Sequence, residues 1–98
     1  MGLNKKLSQI IAGRTVAKTE LKEGLLVIDF SDGSSLQVKI RGAITGEIKS
    51  GQGLQKVLEN EEQLILEFDD KKRVQAILLN PGGSIILRNK NNALEYLG

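Results

Sequence analysis

Cysteine, histidine and tryptophan are absent from this chain, and proline occurs once. Without cysteine there is no disulfide and no thiolate metal site, so the fold must stand on packing alone. Without histidine there is no imidazole general base, no ordinary base-activated nucleophile and no His/Cys zinc site. Catalysis would be left to carboxylates, lysines or Tyr96. The expectation is a protein that is not an enzyme and carries no cofactor. Aromatic residues are limited to Phe30, Phe68 and Tyr96, so the core must be built from Leu, Ile and Val. No apolar run approaches the ~18 residues of a membrane helix. The run Ile10–Ala12 behind Lys5 and Lys6 is too short for a signal sequence, and Lys6 stands where an acylation signal wants Ser or Thr. A cytoplasmic protein without a membrane partner is expected.

The 98 residues fit one domain with one modest core. Fourteen basic residues face 12 acidic ones, a net charge of +2 with the signs interspersed. So small an excess is weak support for a polyanion partner.

Against these absences stands an internal echo. Residues 23–40, EGLLVIDFSDGSSLQVKI, and 61–78, EEQLILEFDDKKRVQAIL, align at an offset of 38 positions. Glu23, Leu26, Phe30, Asp32 and Gln37 recur identically as Glu61, Leu64, Phe68, Asp70 and Gln75. In each copy apolar residues alternate with polar ones, the period of a half-buried strand. In the first copy, a three-residue loop Ser31-Asp32-Gly33 sets Phe30 against Ser34, Ile28 against Leu36 and Leu26 against Val38. A two-residue loop would slip the register by one and turn an apolar face against a polar one. The expected turn is therefore type I with a G1 bulge, Gly33 supplying the positive φ. The second copy permits the same register with Lys71 in the glycine's place.

The segments before each copy, Thr15–Leu21 and Leu54–Glu59, read as third strands. The second also has helical spacing at Leu54, Val57 and Leu58, but the repeat favours a strand. Asn4 caps a short helix over 3–12 whose Leu3, Leu7, Ile10 and Ile11 share a face, and Gly13 suits its C′ position. Residues 41–53 form a Gly-rich connection with room for one short strand. After the turn Asn80-Pro81-Gly82-Gly83, residues 84–97 form a hairpin. A four-residue loop Asn89–Asn92 would pair Leu87 with Leu94 and Ile85 with Tyr96, with Asn92 in the left-handed region. The sum is a mainly β protein: a first β repeat over 14–40, a second over 54–78, a closing hairpin and an N-terminal helix. Short strands spaced by turns suggest a small barrel or sandwich.

Three patterns bear on function. Asp29, Asp32, Glu67, Asp69 and Asp70 lie at or near the two equivalent turns, where oxygen ligands could hold Ca²⁺ or Mg²⁺ if the turns converged. The stronger reading is that aspartate caps turns, since no D-x-D-x-D-G loop is present and no metal is expected. Gly46–Gly53 lacks the Lys and hydroxyl of a phosphate loop. Lys5, Lys6, Arg14, Lys18, Arg88 and Lys90 are the candidate nucleic-acid contacts, should they meet on one face. The scarcity of stacking aromatics argues against that use. The leading expectation is a binding or assembly module with a protein partner or a second copy of itself. Val27, Ile86 and Leu97 are left to form an apolar face that one small core cannot cover. No family motif is evident.

Overall fold

The computed structural model describes residues 2–98. Strand β1 (Gly2–Leu3) precedes helix α1 (Lys5–Ile11). Then come β2 (Arg14–Lys22), β3 (Leu25–Phe30), β4 (Ser35–Thr45), β5 (Gly53–Asn60), β6 (Gln63–Phe68), β7 (Arg73–Leu78), β8 (Ile85–Arg88) and β9 (Leu94–Leu97). Strands β2–β3–β4 and β5–β6–β7 are two antiparallel meanders. They join through β2–β5 and β4–β7 into a closed six-stranded barrel, with β1, β8 and β9 as additional strands. The barrel alternative is thus the one realised.

Period-two patterning explains the core. Leu26, Ile28, Phe30, Leu36, Val38 and Ile40 of the first meander are buried, as are Leu64, Leu66, Phe68, Val74, Ala76 and Leu78 of the second. Their neighbours along each strand are mostly half-exposed. The two phenylalanines occupy equivalent buried positions.

The register follows the turn chemistry. Ile28 pairs with Leu36 and Leu26 with Val38, and Phe30 N–H donates to Ser34 C=O at 2.8 Å. Leu66 pairs with Val74 and Leu64 with Ala76, and Phe68 N–H donates to Lys72 C=O at 2.9 Å. Gly33 has φ +89° and Lys71 has φ +66°, so both bulged turns form although only one has glycine.

The duplication reaches further back than the sequence match. Gly13 and Gly51 both have positive φ, and their N–H groups donate to Leu54 and Val16 C=O at 2.9 and 2.8 Å. A register shift falls between Val16 and Lys18 in β2 and between Leu54 and Lys56 in β5, the same place in each copy. The segment Leu54–Glu59 is a strand, as the repeat implied. The copies differ at their first hairpin: Gly24 carries the positive φ in one, and Glu61, one position earlier in register, in the other.

Helix α1 starts at Asn4, whose Oδ1 accepts from Leu7 N–H at 3.0 Å. Leu7 and Ile11 are fully buried. Ser8 is buried too, its Oγ accepting from Val57 N–H at 2.9 Å and donating to Val57 C=O at 3.2 Å. Strand β4 runs past the first repeat to Thr45, pairing with β7, and Ile44 and Ile48 of the connection pack on the core.

The last hairpin departs from the expected pairing. Leu87 faces Tyr96, not Leu94, and Ile85 exchanges hydrogen bonds with Gly98, not Tyr96. The loop has three residues, not four: Asn89 N–H donates to Ala93 C=O and Asn92 N–H to Asn89 C=O, both at 2.9 Å, with Asn92 at φ +65°. This is the bonding of the Gly33 and Lys71 turns a third time. A register shift between Leu87 and Arg88 then restores an apolar pair, Leu87 against Tyr96.

Candidate interaction surface

The barrel wall brings several sequence candidates into cross-strand rows. Glu20, Val27, Gln37, Ile86 and Leu97 lie opposite one another across β2, β3, β4, β8 and β9. Val27 and Ile86 are half-buried on the outer face and Leu97 is 63% exposed, so the second apolar face exists, interrupted by Gln37. The adjacent row holds Lys18, Asp29, Ser35, Arg88 and Leu94, the last 51% exposed. At the opposite margin of this five-stranded sheet, Leu21 is 47% exposed.

The basic residues do not form a continuous stripe. Arg14 has a side chain only 16% exposed; its Nη2 donates to Glu95 Oε2 at 2.6 Å and its Nε lies 3.9 Å from Asp32 Oδ2. Asp29 stands between Lys18 and Arg88 in their row. Lys90 lies beside the first turn, at a depression of about 260 Å³ that it shares with Asp32, Ser34, Asn89, Asn91 and Glu95. Lys5 and Lys6 are exposed on α1, and Lys5 borders a different depression of about 450 Å³ with Leu3, Ser8, Gln9, Ala12 and Gln55.

The turn carboxylates are engaged locally. Asp32 Oδ1 accepts from the hydroxyl and the N–H of Ser34, and these bonds, with the Arg14 guanidinium, hold its carboxyl below the usual range. Asp70 repeats the device: Gln52 Nε2 donates to it at 2.9 Å and Lys72 N–H at 3.0 Å, and its pKa is lowered by the same two bonds. Gln52 is the repeat equivalent of Arg14, so each copy ties the start of its first strand to its turn aspartate. No group of three or more metal-capable side chains comes together among the described residues.

What the sequence did not signal is how the two copies differ at their edges. Residues Gly2–Asn4 cover the outer edge of β5: Gly2 pairs with Glu59, Leu3 with Leu58, and Asn4 N–H donates to Val57 C=O at 2.8 Å. Asn4 Nδ2 also donates to Glu59 and, at 2.9 Å, to the Tyr96 hydroxyl, which locks this cover in place. On β2 the equivalent residues are Thr19, Glu20 and Leu21, and among the described residues no strand pairs with their outer edge. A two-residue strand has no periodicity to read, so only the repeat could have pointed to this inequality.

Among the described residues no helix is long and apolar enough to cross a membrane. No family model matches the chain, and no curated protein or solved structure matches it.

Proposed function

We propose that this chain is a non-catalytic binding and assembly module whose principal partner is a second copy of itself. The observation that carries the reading is the placement of Leu21 at one margin of the β2–β3–β4–β8–β9 sheet and of Leu94 and Leu97 at the other, all about half exposed or more. Large apolar side chains exposed at sheet margins favour association, because burying them removes apolar surface from water at ~25 cal/mol per Å². The turn aspartates are occupied in capping, which supports a structural over a catalytic or metal-binding use. Nucleic-acid binding has less support, since Arg14 is already paired with Glu95 and Asp29 separates Lys18 from Arg88. Molar mass from light scattering over a concentration series tests the proposal. A dimer or larger species should appear as concentration rises. A strict monomer at the highest soluble concentration would contradict it, and tight binding of single-stranded nucleic acid that weakens with salt would transfer support to the basic residues.

A further inference from the structure

We infer that the outer edge at the end of β2, Glu20–Lys22, pairs antiparallel with the same edge of a second copy, with Leu21 opposite Leu21. The inference rests on the self-association reading and names the surface that carries it.

The repeat supplies the first argument. In the second copy the outward backbone groups of Val57 meet Asn4 N–H and Ser8 Oγ, and Glu59 pairs with Gly2. The strand β5 is therefore built to take another strand along this edge. Thr19 and Leu21 hold the same places in β2, on the same side of the same ladder, and have no such cover among the described residues. An open edge is a template for a further strand.

Charge complementarity favours a second copy as the occupant, and charge together with the strand irregularity selects the register. Ladder geometry requires the outward residues, Thr19 and Leu21, to pair with outward residues. Pairing Thr19 with Leu21 would set Glu20 against Glu20 and Lys18 against Lys22. Pairing Thr19 with Thr19 would set Glu20 against Lys18 but bring Leu21 onto Ala17, where the register shift between Val16 and Lys18 interrupts the strand. Pairing Leu21 with Leu21 sets Glu20 of each copy opposite Lys22 of the other, twice by symmetry. These are close, non-hydrogen-bonded positions, where opposite charges stabilise and like charges repel. Glu20 and Lys22 already lie 3.6 Å apart within one strand, on the exposed face where the second copy would meet them. The twofold arrangement closes as a dimer and leaves no repeating contact to grow into a fibre.

A charge swap read by light scattering tests the inference. The wild-type chain should be a dimer. Glu20→Lys should weaken dimerisation about tenfold or more, and the double variant Glu20→Lys/Lys22→Glu should restore it. Should Glu20→Lys lose its folded circular dichroism, Lys22→Glu makes the same like-charge contact and carries the test. A wild-type dimer that persists in both single variants overturns the β2 edge and leaves self-association standing through another surface, where Leu97→Lys would act. A double variant that remains monomeric overturns the register. A monomeric wild type removes the inference together with the reading beneath it.

Discussion

Lys71 holds a left-handed conformation that glycine holds in the first copy, and the two turns otherwise share their bonding. A non-glycine residue there costs roughly 1–2 kcal/mol. Lys71→Gly should therefore raise stability by about 1 kcal/mol in denaturant unfolding, and a loss would refute the equivalence of the turns. The reverse change is costlier: a Cβ on Gly33 would lie 2.8 Å from Lys90 Cβ, because the first and last turns abut. Asp32 gives a pH signature. Its carboxyl is depressed in the folded state by the Ser34 bonds and Arg14, so its contribution is present above the unfolded value near ~4 and is lost as pH falls through the lower folded value. Melting temperature should drop on acidification below about pH 4, and Asp32→Asn should flatten part of that drop. An identical acid profile in the variant would show that the Ser34 and Arg14 contacts do not stabilise the fold.

At the scale of elements, α1 is seven residues long, too short to be stable alone. Lys5 and Lys6 in its first turn oppose the dipole. It is held by Leu7 and Ile11 in the core, by the Asn4 cap and by Ser8. Ser8→Ala removes both bonds to Val57 and leaves a buried N–H without a partner, so it should cost about 1–3 kcal/mol. A change under ~0.5 kcal/mol, the size of an ordinary surface substitution, would mean that water replaces the hydroxyl. The four strands flanking the two repeat turns were legible in the sequence because each slip by one residue turns a face inside out, and Asp-Gly or its equivalent fixes the loop. The last hairpin was misread for a physical reason. Asn89 and Asn92 both favour turns, and Leu87 opposite Leu94 makes as good an apolar pair as Leu87 opposite Tyr96. Nothing local separates a four-residue loop from a three-residue loop followed by a bulge.

For the whole molecule, the duplication defines two meanders, and their closure through β2–β5 and β4–β7 makes the barrel. Closure was not legible, since a sandwich and a barrel share the same strands and differ only in which edges meet. The candidate basic residues were legible individually and not as a set: Arg14 proved to be a structural partner of Glu95 and Asp32, a relation that depends on where the last hairpin lands. The apolar row of Val27, Ile86 and Leu97 was the one surface feature legible from composition, because a core of this size cannot absorb every leucine and isoleucine.

The central claim is that two equivalent strands have unequal edges, one covered within the chain and one left for a second copy. Residue-resolved amide hydrogen exchange measured as protein concentration rises tests it most directly. Val57 should be protected at every concentration, while Leu21 should exchange fast when dilute and slow down as the protein is concentrated. A Leu21 amide that stays fast at all concentrations, or is protected as strongly as Val57 in the dilute chain, would contradict the account.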